Sequence, residues 1–162
     1  MKEAKNQLIL VEGLTGLGKS TLAHFVTRQF QYNGIEACWI HEGEDPHPVS
    51  LDVESDITAF MIESLEKWDA LVVQTLESST ITVIEASFFN NLIEKLLAHC
   101  LDRATILNFG MKLQQVIKPV KPALVYLVHP YLSTALEENF RNRGAGFRDF
   151  VIEKRTDRTA CR

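Results

Sequence analysis

Four short apolar runs alternate with longer stretches of helical period along this chain, and that order restricts the fold more than any other feature. The runs are QLILVE (Gln7–Glu12), IEACWI (Ile35–Ile40), ITVIEA (Ile81–Ala86) and ALVYLV (Ala123–Val128). A short, nearly continuous apolar run suits a strand covered on both faces, as in a parallel sheet. β-Branched residues dominate the third run, which strengthens its reading as a strand. Between the first two runs, Leu22, Phe25, Val26 and Phe30 fall on one helix face, and Asn33-Gly34 supplies a stop. Ile57, Phe60, Met61, Leu65, Trp68, Leu71, Val72 and Leu76 mark a long helix whose stripe reads as core. FFNNLIEKLLAHC (Phe88–Cys100) looks helical, and RATILNFGMKLQQVI (Arg103–Ile117) continues as a second helix, with a break expected near Asn108–Gly110. After the fourth run, Pro130 opens a short helix that should end at Gly144. Strands alternating with helices imply right-handed crossovers. The expected class is α/β, three layers, with a mostly parallel sheet of about four to five strands and helices on both faces.

The chain has 162 residues, which suits one domain spanning 1–162. It shows no internal repeat or linker. Its net charge of −4 gives no basic face outside the last quarter, so nucleic acid is not an expected partner. No run approaches the roughly 18 apolar residues of a membrane helix, and MKEAKNQ does not open a signal segment, so a cytoplasmic protein without a membrane partner is expected. Cys38, Cys100 and Cys161 show no metal-ligand spacing, and Cys38 and Cys100 are expected as small buried hydrophobes.

The chemistry starts at Gly13-Leu14-Thr15-Gly16-Leu17-Gly18-Lys19-Ser20, which fits G-x-x-x-x-G-K-[ST]. It sits between an apolar run and an amphipathic helix, the context such a loop needs. Glycines let the backbone curl so that several N–H groups converge on one anion. A helix starting near Lys19 adds the positive end of its dipole. In this pattern the lysine reaches the β- and γ-phosphates and the hydroxyl, here Ser20, ligates Mg²⁺; Thr21 follows directly. Residues Gly13 to Thr21 are therefore the expected binding segment for a nucleotide. Guanine-nucleotide switch elements D-x-x-G and N-K-x-D are absent, and the third run ends VIEAS rather than in an Asp-Glu pair.

Carboxylates at strand ends extend the site. Ligands of open α/β sheets bind beyond the carboxyl ends of the strands. Glu85 ends the third run, where it can hold Mg²⁺ through water or take a proton from an acceptor hydroxyl. Glu42 and Glu44 follow the second run in an acid-rich loop, with the same placement. The five histidines lack metal-ligand spacing and read as structural.

LILVEGLTGLGKST (8–21), VIEASFF (83–89) and PALVYLVHPYLSTALEENFRNRG (122–144) together resemble the nucleoside and nucleotide kinase group of P-loop proteins, most nearly its thymidylate-kinase-like branch. The resemblance spans most of 7–148. It implies the P-loop NTPase fold and transfer of the γ-phosphoryl group of Mg-ATP to a small acceptor. It also implies an arginine-bearing lid around 137–150, with Arg141, Arg143 and Arg148 as candidates to cover the transferring phosphate. Arg143 fits best, because NRG matches the family's Arg-Gly. Physically, a closing arginine would stabilise charge spread over phosphoryl oxygens.

Two positions depart from the family's pattern. An arginine normally follows the acid of the third strand and grips the acceptor's phosphate; here it is Ala86. With an acid-rich loop nearby, a nucleoside, sugar or amine-bearing acceptor is expected in preference to a phosphorylated one. No apolar strand follows FRDFVIE, so a minimal four-stranded sheet or a shortened chain is expected, with an exposed edge that a homodimer would cover. Two other classes stay open: a nucleotide-binding regulatory module with little turnover, and a P-loop ATPase or GTPase.

Overall fold

The computed structural model describes residues 7–51 and 56–149. Four strands, β1 (Leu8–Gly13), β2 (Ala37–Ile40), β3 (Ile81–Glu85) and β4 (Ala123–Leu127), form one sheet in the order β2-β3-β1-β4. Every neighbouring pair is parallel, with Val11 level with Glu85 on one side and Val125 on the other. The α/β class and the parallel sheet are as the alternation of runs implies.

The four runs look alike in sequence but fare differently. β1 and β3 are central and buried throughout. β4 is an edge strand that leaves Leu124, Val125 and Tyr126 exposed, so its apolar run does not report cover on both faces. β2 is the other edge. Its Cys38 is exposed rather than buried, and so is Cys100 in the turn after the third helix. β3 stops at Glu85 because Ala86 turns to φ 54°.

Side chains alternate across β1, so its two faces carry separate cores. Ile9 and Val11, with Val83 of β3, pack against Leu22, Ala23, Val26 and Phe30 of α1 (Lys19–Tyr32). Leu8 and Leu10, with Ile84, pack on the opposite face against α2 (Ile57–Glu77) and α4 (Arg103–Ile117). The long stripe holds for Phe60, Trp68, Leu71 and Val72, whereas Leu76 and, on α1, Phe25 point to solvent. Asn33 and Gly34 (φ 72°) end α1 as expected.

The segment after β3 begins with a π-helical turn (Phe89–Ile93) and passes into the short α3 (Glu94–Ala98). α4 runs unbroken through Asn108–Gly110, against the expected break. Phe109, Leu113 and Ile117 are buried one turn apart. Burying each is worth about 1.5–3 kcal/mol, which outweighs the roughly 1 kcal/mol cost of an interior glycine. α5 (Leu132–Arg143) ends at Gly144 (φ 82°), as expected. Among the described residues no helix is long and apolar enough to cross a membrane. Lys154, Arg155, Arg158, Cys161 and Arg162, and position 150 of the expected lid, lie outside the described residues.

Candidate active site

The loop from Gly13 to Ser20 joins β1 to α1 with three glycines at positive φ: Gly13 (143°), Gly16 (88°) and Gly18 (87°). At Gly13 only hydrogen fits, and at Gly16 a side chain would have to displace the Asn139 amide. A Cβ on Gly13 would stand 2.7 Å from the Leu127 carbonyl of β4, and one on Gly16 would stand 2.6 Å from the Asn139 amide of α5. Gly18 is the N-cap of α1 and offers no side chain to the helix start, and the first turn has no acid. α2 and α4 start differently. Asp56 accepts from the Thr58 and Ala59 amides, and Asp102 from the Thr105 amide. The first amides of α1, like those of α5, thus have no capping side chain from their own sequence and stay open to an outside acceptor.

Lys19 is buried on this loop, and its Nζ lies 3.4 Å from the Leu14 carbonyl. With the Asn90 amide oriented to satisfy both of its groups, Asn90 accepts from Lys19 Nζ at 3.3 Å and donates to the Gly13 carbonyl at 3.2 Å. Asn90 sits in the π-helical turn, a widened turn frequent at functional sites.

Glu12 fixes where that turn begins. It is fully buried, and its two oxygens accept from the Phe88 and Phe89 amides at 2.7 and 3.2 Å. Burial pushes its carboxyl above the ordinary value, while those amides and Lys19 pull it back. The same two bonds hold the chain after Ala86, whose left-handed φ is unfavourable for a non-glycine residue. Ala86 itself is buried, and its amide donates to the Val11 carbonyl at 3.0 Å.

Glu85, level with Val11 on the neighbouring strand, is also fully buried. Neither carboxylate oxygen has a hydrogen bond of good geometry among the described residues. Burial raises its carboxyl; the Ser20 hydroxyl and His41 pull it down, and Glu42 pushes it up. His41 Nε2 lies 3.5 Å from Glu85 Oε1. The structure therefore brings Ser20, Glu85, His41 and Glu42 to one place, at the carboxyl ends of β1, β2 and β3. A buried carboxylate without a hydrogen bond of good geometry, beside a hydroxyl, is a hard-oxygen donor pair, which fits Mg²⁺ completed by waters and phosphate oxygens. Among the described residues no three His, Cys, Asp or Glu side chains cluster as a metal cage, so such an ion would rest on few protein ligands.

The loop after β2 has its own anchor. The buried His47 ring accepts at Nδ1 from the Val49 and Ser50 amides, at 3.2 and 2.9 Å, and burial holds it below the ordinary histidine value. Glu42 and Glu44 are exposed on this loop.

The three lid candidates do not converge. Asn139 of α5 touches Gly16, and Arg143, four residues on, lies on the same helix face. Its guanidinium stands 4.7 Å from the centre of the Phe147 ring. Arg141 is two residues from Asn139 and so lies on the other side of α5. Together with Arg148, Glu137 and Phe140 it lines a separate open cavity of about 420 Å³.

Three participants were not anticipated from sequence: Glu12, Asn90 and His41. Glu12 was visible as an acid inside an apolar run directly before the glycine loop. His41 obeys the same strand-end rule that selected Glu42. For Asn90 there was no signal, because only the π-helical turn aims it at Lys19. No model of a known protein family matches this sequence, and no curated protein matches it.

Proposed function

We propose that the chain is a P-loop phosphotransferase, built on a three-layer P-loop NTPase fold, that moves the γ-phosphoryl group of Mg-ATP to a small hydroxyl-bearing acceptor. One observation carries the reading most: Glu85, buried and without a hydrogen-bond partner of good geometry among the described residues, lies beside Ser20 of the glycine loop. A buried charge left unsatisfied is costly, and such groups are retained where chemistry uses them.

In this reading the backbone of residues 13–20 and the first amides of α1 bind the triphosphate. Lys19 neutralises its β- and γ-oxygens. Ser20 and Glu85 would hold Mg²⁺, which would supply positive charge to offset that of the phosphate oxygens. The acceptor oxygen bonds to the γ-phosphorus as the β,γ-bridging bond breaks and ADP leaves. Glu42 takes the acceptor's proton. Arg143, on the α5 face that meets the loop, is the arginine placed to swing from Phe147 towards the phosphates; Arg141 and Arg148 are not on that face.

The acceptor is uncharged or cationic. Ala86 is fully buried with a left-handed backbone, so this position presents no cation to a phosphorylated acceptor. Glu42, Glu44 and Asp45 would repel one. The exposed edge of β4 is where a second copy would pair, and sedimentation across a dilution series checks this; a monomer at all concentrations removes it.

The deciding experiment is an acceptor screen read by ADP release, with Lys19→Ala beside it. The expected outcome is ADP release that depends on a nucleoside, sugar or amine-bearing acceptor and falls by about 10²-fold or more in Lys19→Ala. Acceptor-independent phosphate release would make the protein a hydrolase. Nucleotide binding with no turnover would make it a regulatory module. Turnover confined to monophosphates would sink the acceptor class.

A further inference from the structure

His41 is held on three sides. Its ring packs edge-on to Trp39, with centroids 5.3 Å apart, and Trp39 in turn lies 5.4 Å from the His24 ring of α1. Its Nδ1 accepts from the Gly43 amide at 3.0 Å. Its Nε2 faces Glu85 Oε1 at 3.5 Å. The Gly43 bond decides the tautomer. A ring nitrogen that accepts an N–H carries no proton, so the neutral imidazole must carry its proton on Nε2. Both nitrogens are therefore committed. His41 has no lone pair left with which to take a proton from a substrate, but it has one N–H at the nitrogen that lies 3.5 Å from Glu85 Oε1.

Glu85 needs such a donor. It is buried and its oxygens have no hydrogen bond of good geometry among the described residues; the Ser20 hydroxyl and the Glu42 amide favour its charge, and the Glu42 carboxylate opposes it. With no hydrogen bond of good geometry to fix it, which oxygen faces Ser20 depends on the groups around the carboxylate. The contact of 3.5 Å is long for a hydrogen bond, and contacts of this kind commonly tighten once the ligand is bound.

We propose that His41 is a positioning residue: its Nε2–H fixes Oε1 of Glu85 so that Oε2 faces the Ser20 side, where the cation of the bound nucleotide sits. The inference rests on the phosphotransferase reading above. It adds a residue that touches neither nucleotide nor acceptor, held by the loop after β2. A shift of that loop would therefore reach the metal through His41. Partners of metal-binding carboxylates act this way generally, and their loss typically costs about 10–100-fold in metal affinity.

The test uses the intact protein. In nucleotide-free protein labelled with nitrogen-15 at histidine, the imidazole signals missing from His41→Phe should show a proton on Nε2 and none on Nδ1. A proton on Nδ1 overturns the proposal, whatever the variants do. Mg²⁺ is then titrated into the ADP complex by calorimetry. His41→Phe keeps the ring against Trp39 and should weaken Mg²⁺ about tenfold, with ADP affinity in the absence of metal unchanged. His41→Gln places an amide N–H₂ near the position of Nε2 and should recover most of the loss. Unchanged Mg²⁺ affinity in His41→Phe overturns the inference alone, as does an equal loss of metal-free ADP affinity. A wild-type protein that binds no ADP overturns the phosphotransferase reading and this inference with it.

Discussion

Glu12 and Glu85 stand near the ends of adjacent central strands, and both are fully buried. Burial pushes both carboxyls up. Their surroundings then diverge. Glu12 divides its two oxygens between the Phe88 and Phe89 amides and sits near Lys19. Each hydrogen bond to a charged acceptor is worth about 1.5–3 kcal/mol, enough to offset much of the desolvation. Glu85 has the Ser20 hydroxyl and the Glu42 amide nearby and one histidine nitrogen at 3.5 Å, none in a hydrogen bond of good geometry. So one carboxylate spends its charge on shaping the turn after β3, and the other keeps its charge available. Equal burial hides opposite roles, and the hydrogen-bond inventory separates them.

Replacing each acid by its amide breaks the comparison if the roles are misassigned. The largest effect is expected on chemistry: Glu85→Gln lowers acceptor-dependent ADP release by about 10²-fold or more, because a neutral amide is a poor ligand for Mg²⁺. Retained turnover would return Glu85 to a structural role. Next comes Glu12→Gln. An amide can accept at its oxygen only, so its NH₂ meets one of the two backbone N–H groups head-on. Urea denaturation should show a loss of about 1–3 kcal/mol. A stability equal to wild type would mean that the turn after Ala86 holds itself.

The same substitution at Glu85 should act in the opposite direction on stability. Removing a buried charge that has no hydrogen bond of good geometry is expected to raise stability by about 1 kcal/mol, the usual trade between activity and stability. A loss in Glu85→Gln as large as in Glu12→Gln would dissolve the distinction. The smallest effect concerns pH. Both folded carboxyls lie above the ordinary value of 4.5. Above 4.5 the unfolded chain releases protons that the folded protein still holds. The contribution of each group is thus fully present below that pH and is lost as pH rises through the raised folded value. Each Gln variant should flatten this decline, measured as urea midpoints from about pH 4 to about pH 7 without nucleotide or metal. A wild-type profile that rises through this window, and steepens in the variants, would show the burial argument to be misapplied.

Much of the fold was legible because it is written in local periodicity. The apolar stripes of α1 and α2 followed from 3.6-residue spacing, the four strands from short continuous apolar runs, and the helix ends at Asn33-Gly34 and Gly144 from their stop residues. What failed was context. The ALVYL run of β4 reads like that of β1, yet β4 is an edge, because strand order is a property of the whole sheet. Gly110 reads as a breaker, yet α4 passes through it, because Phe109 and Leu113 are anchored in a core drawn from distant residues.

The site divides along the same line. The sequence alone determined the glycine loop from Gly13 to Ser20, because its function depends on backbone conformations that neighbouring residues dictate. It also determined that Glu85 ends a strand at the carboxyl edge of a parallel sheet. Only the tertiary structure decided that Glu12 is an architect of the next turn, that Asn90 meets Lys19, that His41 faces Glu85 and that the α5 face bearing Asn139 and Arg143 meets the glycine loop. These are meetings between residues far apart in sequence or set by a helix's rotation. Burial and partner geometry, which fix the cost and use of a charge, exist only once the chain has closed around it.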